Sequence, residues 1–254
     1  MPRKSGSISI KSKWKKTQWL LSDRELRRFV PETRVFNRMS LIKMTSRYRM
    51  VYFKPTGGTG GNGIARIERT APGKFSVRKD WRTTKPPSIG ALYVQLKKIA
   101  RGRSYLLQRG VHLRASGGRP FDIRVTLQKG RTGRWVPTVM FVKLGKPGKV
   151  VTNYHSGGTL ALVDPTLRRA GFTASRIGQY KRQLKALGLQ TARCFNRRSP
   201  RFKELGLDVA LDRGGRLWIL EVNTRPGISA LKSLRDKSLY RTVVKYARQY
   251  GRTR

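Results

Sequence analysis

Cysteine and histidine are scarce in this sequence of 254 residues, which contains one cysteine and two histidines. Cys194 alone excludes an intrachain disulfide and a zinc site built from several cysteines. His112 and His155 lie far apart along the chain, so neither a histidine metal cluster nor a Ser-His-Asp triad has support. Carboxylates, amides and cations are therefore the side chains left to carry chemistry.

Long apolar runs are also missing. No stretch approaches the ~20 apolar residues that a membrane helix requires. The N-terminus is basic, but Trp19-Leu20-Leu21 is too short for the apolar region of a signal peptide. We therefore expect an intracellular, cytoplasmic protein without a membrane span.

Acidic residues are few, since 12 Asp and Glu stand against 58 Lys and Arg, which gives a formal net charge of +46. Self-repulsion of this size destabilises a compact chain unless counter-ions or an anionic partner screen it. The charge therefore predicts an anionic partner: nucleic acid, an anionic cell-wall or coat polymer, or an acidic membrane surface. It also favours small phosphate-bearing ligands, without specifying any of them.

The N-terminal residues 1–21 contribute to this charge with four lysines placed around Trp14 and Trp19. We expect an extended arm, either a polyanion-binding segment or a strand or loop laid on the body of the protein. Ser22-Asp23-Arg24-Glu25 has the pattern of a capping box and predicts a short helix that ends at Pro31.

Several of the scarce acidic residues fall in a predicted β-hairpin late in the chain. Two apolar runs, residues 205–211 and 217–222, flank the pair Gly214-Gly215, which suits the positive φ angles of a two-residue turn. Counting back from such a turn places Asp208 opposite Glu221, and Asn223 shares the face of Glu221 because side chains alternate along a strand.

Two carboxylates and an amide oxygen on one patch favour a bound hard cation, because like charges opposite one another destabilise a sheet. Oxygen ligands of this kind suit Mg²⁺. The alternative is a solvated face whose acids are neutralised by neighbouring Lys and Arg, which this basic composition also allows.

A glycine-rich segment, residues 57–63, follows a predicted strand that ends at Lys54. Gly58, Gly60 and Gly63 fit the dinucleotide fingerprint, but a β-like segment follows where that motif needs a helix. No Lys-Ser/Thr follows the glycines, so a P-loop is also excluded. The remaining alternatives are a hairpin whose amides fold over phosphates, with Lys54 as a phosphate lysine, and a flexible surface hairpin.

Asp122 and Arg124 share one face of a predicted strand. An arginine in this position could form a fork onto a transferring phosphoryl group, with the aspartate orienting it, or the two could form a structural ion pair. Lys129 and Lys143 are further candidate cations, and the polar loop 152–158 could present amides to an anion. Strands here and helices at 165–195 and near the C-terminus predict an α+β fold with mostly antiparallel strands.

Taken in order, these segments resemble the YheC/YheD family of endospore coat-associated proteins, within the ATP-grasp superfamily. The matching stretches are residues 51–55 with 60–63, 108–111, 121–125 with 128–129, 151–158, 206–209 and 221–226. The resemblance implies an ATP-grasp fold in which two α+β subdomains clamp ATP. The expected division is a basic arm with a short helix (1–40), a subdomain with the glycine hairpin (41–104), and a subdomain with the metal site and a C-terminal helix (105–254).

The resemblance also implies roles for individual residues. Mg²⁺ would be held by Asp208, Glu221 and Asn223, and the transferring group would be stabilised by the catalytic cations Arg124 and Lys54. ATP would be bound by Lys54, Gly58, Gly60, Gly61, Gly63, Gln108, Arg109, Val111 and Lys129.

Two functions follow as expectations. The first is an ATP- and Mg²⁺-dependent ligase that joins a carboxylate to an amine or thiol through an acyl phosphate. The second is a spore-coat-associated or polyanion-binding structural protein that keeps the fold with little catalysis. Few residues precede Lys54, so we expect an acceptor site that is incomplete or supplied by a partner.

Overall fold

The computed structural model describes residues 7–58, 61–146 and 158–253, and its first element is a helix. Helix α1 (Lys13–Leu21) begins after Ser12, whose hydroxyl oxygen accepts a hydrogen bond of 3.2 Å from a backbone N–H of the first turn. Its Trp19 packs edge-on against Phe195 and Phe202, far along the chain. The expected extended arm is therefore wrong for this segment, which is helical and anchored by its aromatic side.

A turn replaces most of the short helix that was expected next. Asp23 Oδ1 accepts hydrogen bonds from the backbone N–H groups of Glu25 and Leu26, at 3.2 and 3.1 Å. A single 3-10 turn then forms at Arg27–Phe29. The aspartate carboxylate competes with the regular backbone pattern of a helix, which explains the difference.

The first half of the chain forms one antiparallel sheet with two helices. Its elements are β1 (Thr33–Val35), α2 (Arg38–Arg47), β2 (Met50–Pro55), β3 (Ala65–Ala71), β4 (Lys74–Lys79), β5 (Arg82–Thr84), α3 (Ile89–Ala100) and β6 (Tyr105–Arg109). The strand order is β1-β6-β2-β3-β4-β5. Apolar side chains at helical spacing, such as Leu41 and Met44 on α2 and Leu92 and Leu96 on α3, form a core with Phe53 of β2.

Strands β1 and β6 lie on either side of the segment 41–104 that was expected to form this subdomain. They pair with each other through Thr33–Gln108, and β6 also pairs with β2. The strand pairing therefore favours a boundary after residue 109 and includes β1 in the first subdomain.

The second half forms another antiparallel sheet, flanked by helices on both faces. Its elements are β7 (Ala115–Ser116), β8 (Arg119–Lys129), β9 (Trp135–Leu144), β10 (Thr159–Ala161), α4 (Val163–Arg169), α5 (Ala174–Arg198), β11 (Glu204–Leu211), β12 (Leu217–Asn223), a 3-10 turn (Ser229–Ser233) and α6 (Ser238–Gln249). The strand order is β10-β9-β8-β11-β12, with β7 paired to β8.

Alternation along β8 determines which of its side chains face the main core and which lie on the opposite face of the sheet. Phe121, Ile123 and Val125 belong to the main core with Leu184 of α5. The intervening residues Asp122, Arg124, Thr126 and Gln128 are therefore on the opposite face. At its far end this second face is covered by α6, since the Gln128 amide donates to the carbonyl of Val243.

The α+β fold with antiparallel strands that the sequence predicts is confirmed in the described residues. Within residues 7–58, 61–146 and 158–253, no helix combines the length and the apolar character needed to cross a membrane.

Candidate functional site

The β11–β12 hairpin brings Asp208 opposite Glu221, although its loop differs from the expected one. The N–H of Asp212 donates to the carbonyl of Arg216 at 3.0 Å, which closes a three-residue loop with Gly215 at φ 83°. The expected two-residue loop at Gly214-Gly215 is therefore wrong, and pairing begins with Leu211 opposite Leu217.

A β-bulge at Leu220 restores the register that the longer loop shifts. Val209 lies opposite Ile219, whereas Asp208 lies opposite Glu221, so Leu220 is the extra residue. As a result the consecutive side chains of Leu220 and Glu221 both line the cleft. Asp208 and Glu221 therefore pair as expected, because the bulge at Leu220 cancels the one-residue shift that the longer loop introduces.

Asp208 is the centre of the polar cluster and is 7% exposed. Arg124 donates to both of its carboxylate oxygens, at 2.6 and 3.1 Å, and Lys143 contacts it at 2.9 Å. Asn223 Nδ2 donates to it at 3.2 Å. Burial alone would raise the pKa of Asp208, but the charges of Arg124 and Lys143 lower this pKa well below its usual range.

Lys143 also contacts Asp122 at 2.9 Å, so one ammonium joins the two aspartates. Burial would lower the pKa of Lys143, but Asp122 and Asp208 raise it. Arg124 is held in its fork by Asp208, the residue opposite it in the neighbouring strand. The sequence had suggested Asp122 for that role.

Glu221 is paired with cations from the N-terminal helix. Lys13 Nζ donates to its Oε1 at 2.8 Å, and Lys16 Nζ lies 3.7 Å from the same oxygen. Burial lowers the pKa of Lys16, whose side chain is 6% exposed. Lys and Arg side chains therefore neutralise Asp208 and Glu221 in this structure, which is the alternative that the sequence left open.

The carboxylates of this cluster, together with the Asn223 amide, also fit a magnesium ion that carries an anionic ligand. Asp208, Glu221 and Asn223 present oxygen ligands from adjacent strands, the type that Mg²⁺ prefers. The charged groups of the cluster are Asp122, Asp208 and Glu221 against Lys13, Lys16, Lys54, Arg124 and Lys143. Five cations against three carboxylates leave an excess of two positive charges, which a metal alone would increase and a metal–triphosphate complex would offset. Among the described residues, no group of three or more His, Cys, Asp and Glu side chains could hold a metal ion by itself. A magnesium site here therefore needs the Asn223 amide oxygen as a third ligand.

Lys54 projects into the cleft from β2 and is positioned by Gln108 of β6. Its Nζ donates to Gln108 Oε1 at 2.5 Å, and the Gln108 amide nitrogen donates to Thr33 Oγ1 at 3.2 Å. Burial lowers the pKa of Lys54 to about 8. An anionic ligand beside this buried ammonium would raise its pKa again and so favour the charged form of Lys54.

Two cavities meet at this cluster and share Asp208, Glu221, Lys143 and Ile64. The first, of about 250 Å³, has a mixed lining in which the apolar side chains include Met50, Val111 and Leu220. Arg109 also lines it, and the central carbon of its guanidinium lies 5.3 Å from the centre of the Tyr48 ring and 4.9 Å from the centre of the Trp218 ring. Apolar side chains together with a few polar groups suit a heterocycle.

The second cavity, of about 340 Å³, extends from the same cluster to the glycine hairpin. The glycine hairpin contributes Gly58 and Gly61 to its lining, and Lys13, Arg124 and Arg225 contribute cations. Gly63 has a φ of 76°, and a Cβ at this position would meet the Tyr105 hydroxyl at 2.9 Å, which favours glycine twice over. Gly60 lies outside the described residues, as do residues 152–157 of the polar loop.

Lys129, expected to contact the nucleotide, is not brought to the cluster. It lies five residues beyond Arg124 on β8 and therefore on the opposite face. Its Nζ donates to the carbonyl of Pro200 at 2.9 Å and lies 5.3 Å from the centre of the Trp135 ring. Strand alternation excludes it from the cleft, so we do not include it in the proposed site.

Comparison with known proteins connects this geometry to a family. A family model described as YheC/D-like ATP-grasp matches residues 7–253. The chain belongs to this family. It is 28% identical over 225 residues to the endospore coat-associated protein YheD of Bacillus subtilis strain 168, covering 86% of this chain and 49% of YheD. It is 25% identical over 229 residues to the endospore coat-associated protein YheC of the same organism, covering 86% of this chain and 60% of YheC. The chain thus spans about half to three fifths of the length of these relatives.

A solved structure gives the same fold for this YheC/D-like ATP-grasp chain. The ADP complex of purK, an N5-carboxyaminoimidazole ribonucleotide synthetase, aligns with a TM-score of 0.56 and 12% identity, covering 94% of this chain and 51% of that chain. At this identity the likeness shows the fold alone. The family and the ATP-grasp fold that the sequence predicts are both confirmed.

The site residues that sequence reasoning missed are Lys13 and Lys16. A signal was present, because Ser12 is a good N-cap and Lys13, Lys16, Thr17 and Leu20 have helical spacing. These four side chains line one crevice beside Glu221. Lys143 was recognised only as a candidate cation, yet it joins Asp122 to Asp208.

Proposed function

We propose that this YheC/D-like ATP-grasp protein is an ATP- and Mg²⁺-dependent ligase. It would activate a carboxylate as an acyl phosphate and transfer the acyl group to an amine or a thiol. The observation that carries the proposal is the meeting of two cavities at a cluster with five cations and three carboxylates, next to a glycine hairpin. The first cavity offers apolar side chains beside Arg109 for a base, and the second offers the glycine hairpin with Lys13 and Arg124 for phosphates, so together they suit a nucleotide.

In this assignment the adenine and ribose occupy the first cavity, bordered by Gln108, Arg109 and Val111. Lys54 and the backbone of Gly58, Gly61 and Gly63 bind the phosphates, in the way that glycine-rich hairpins cover phosphates elsewhere. Gln108 has a positioning role as well, because it holds the Lys54 ammonium at 2.5 Å.

Asp208, Glu221 and Asn223 would hold Mg²⁺, which when bound neutralises charge on the terminal phosphates and orients them. Arg124 stabilises the charge of the transferring phosphoryl group, and Asp208 fixes its guanidinium by accepting from Nε and Nη2. Lys143 supplies a second fixed positive charge at this place.

The carboxylate substrate fits the second cavity, where Arg225 provides a cation and Leu160 and Ala230 provide apolar contacts. A substrate carboxylate oxygen forms a bond to the γ-phosphorus while the bond between that phosphorus and the bridging oxygen breaks, so ADP leaves. The amine or thiol then attacks the acyl carbon, loses its proton, and phosphate departs. In both steps the fixed cations of this chain stabilise the negative charge that develops.

The test is ADP release across a panel of amino acids, peptides and cell-wall precursors, with ATP and Mg²⁺. We expect release that depends on one class of carboxylate and falls at least 100-fold in Arg124→Met, since removing one fixed charge-stabilising group has an effect on the order of 10²–10³. Arg24→Met, an exposed position in the turn after α1, is the matched control. Release that no substrate stimulates, or that Arg124→Met leaves at the control rate, contradicts the ligase.

A second function, binding of an anionic polymer, is favoured by the distribution of charge. Three of the 12 acidic residues lie in the cleft, while the exposed side of α5 carries Arg182, Lys185 and Arg193. We propose that this face binds an anionic cell-wall, coat or nucleic-acid polymer through non-specific charge and associates the protein with the spore.

Polymer binding is tested by its dependence on salt. Using a DNA duplex as the probe, affinity should fall steeply with salt concentration, and the slope of log K against log salt should decrease by up to ~0.9 for each α5 cation replaced by Gln. A flat response in the wild-type protein contradicts this second function and leaves the ligase proposal untouched.

A further inference from the structure

The N-terminal helix reaches the site where the two halves of the protein meet. The backbone N–H of Lys13 donates to the carbonyl of Thr56, directly after β2, at 2.7 Å. Three residues earlier, the N–H of Ile10 donates to Thr224 Oγ1, directly after β12, at 2.8 Å. The start of α1 is therefore fixed both to the strand leading into the glycine hairpin and to the strand that carries Glu221 and Asn223.

From this position the Lys13 side chain joins the two sides of the second cavity. Its Nζ lies 2.8 Å from Glu221 Oε1 and 3.0 Å from the carbonyl oxygen of Gly58 in the glycine hairpin. The side chain is 12% exposed, and it lines the same cavity as Arg124 and Arg225. Lys13 is thus the cation in direct contact with both a proposed metal ligand and the proposed phosphate hairpin.

Lys13 and a divalent cation cannot use Glu221 Oε1 in the same way at once. Mg²⁺ binds carboxylate oxygens at about 2.0–2.1 Å, and an ammonium 2.8 Å from the same oxygen would face it at short range with like charge. The flexible lysine stem allows the ammonium to turn away while the backbone stays fixed at Thr56. A phosphate in the second cavity is then the strongest acceptor within its reach.

We propose that Lys13 is a positioning residue of the nucleotide site, which competes with the divalent cation for Glu221 and pairs with a nucleotide phosphate once the cation takes the carboxylate. This inference rests on the proposed function, because it needs a metal and a nucleotide at this site. It gives the N-terminal helix a part in binding, beyond connecting the two halves.

The competition gives effects of opposite sign, which a merely structural role would not produce. With saturating Mg²⁺ present, Lys13→Ala should weaken ADP binding roughly tenfold, the effect expected for loss of one charge-assisted hydrogen bond to a phosphate. In the absence of nucleotide the same variant should bind Mn²⁺ several-fold more tightly than wild type, because Glu221 is released from its ammonium. ADP binding is measured by calorimetry and Mn²⁺ binding by the electron paramagnetic resonance signal of the free ion.

Lys11→Ala is the matched control, since Lys11 is an exposed lysine two residues away in the same segment. Both of its affinities should equal those of wild type. Lys13→Gln, which removes the charge but keeps a donor for the Gly58 carbonyl, decides the matter if Lys13→Ala fails to fold. Equal affinities in the Lys13 and Lys11 variants, or weaker binding of both ADP and Mn²⁺ in a folded Lys13 variant, overturn the inference. Wild-type protein that binds no ADP with Mg²⁺ present instead contradicts the proposed function itself.

Discussion

Replacing Gly206 by alanine places a methyl group between two parts of the proposed site. Gly206 lies on β11 opposite Asn223, two residues before Asp208. A Cβ built there would lie 2.7 Å from Pro226 Cβ, 3.2 Å from Arg124 Cδ and 3.3 Å from Arg124 Nη1. Real Cβ atoms do not approach other carbons this closely, so either the 225–227 turn or the Arg124 side chain has to move.

The cost of this overpacking is about 1–3 kcal/mol of unfolding free energy, which corresponds to a loss of roughly 2–4 °C in Tm for each kcal/mol in a chain of this size. Displacement of Arg124 from its fork on Asp208 should also weaken binding of ATP with Mg²⁺, on the order of tenfold. Differential scanning calorimetry measures the first effect and isothermal titration measures the second.

Gly214→Ala is the control in the same hairpin. Its added Cβ would meet only Asp212 Oδ1, at 3.4 Å, and its φ is not in the left-handed region. We expect this variant to keep the wild-type Tm and affinity within the error of the two measurements. A Gly206→Ala protein that matches Gly214→Ala in both properties refutes the packing of Arg124 described above.

Two further predictions concern ionisation in the cleft. Because burial lowers the pKa of Lys54 to about 8, affinity for ATP should decline as pH rises above 8, where the ammonium is lost. The Lys54→Met variant should bind ATP more weakly than wild type at every pH, and titration calorimetry should show no such decline in its affinity above pH 8. Asp208→Asn should lower the free energy of unfolding by about 3 kcal/mol, because Arg124 and Lys143 lose their shared carboxylate. Since the folded-state pKa of Asp208 is lowered, its contribution is complete above its ordinary pKa and is lost as pH falls below it, so urea titrations should show the difference between wild type and Asp208→Asn shrinking in acid. An unchanged difference at low pH contradicts the ion pairing.

Local patterns were sufficient to predict the fold class and the face that carries the acids. Alternation in β11 and β12 places Asp208, Glu221 and Asn223 on the cleft side, and the glycine pair locates the reversal between them. The exact loop was wrong, since a three-residue turn with Gly215 in the left-handed region competes with the two-residue turn. The bulge at Leu220 restored the register, and no local pattern predicts that compensation.

Contacts between distant segments were not predictable in the same way. Lys13 and Glu221 are separated by 208 positions, and a lysine-rich N-terminus is read locally as a solvated arm. Arg124 has a carboxylate two residues away on its own strand, yet it is held by Asp208, 84 positions along the chain. Lys129 shows the converse: it was expected at the nucleotide, although strand alternation alone would have placed it on the face away from Arg124.

The central claim, that Asp208, Glu221 and Asn223 hold magnesium beneath a nucleotide, is tested most directly by titrating ATP with and without Mg²⁺. We compare wild type with a variant carrying Glu221→Ala and Asn223→Ala, using Glu25→Ala as the control, because Glu25 pairs with Arg28 on the surface. We predict Mg²⁺-dependent binding in wild type and in the control, and loss of the Mg²⁺-dependent part in the double variant. Equal binding in all three proteins, or no binding in wild type, contradicts the claim.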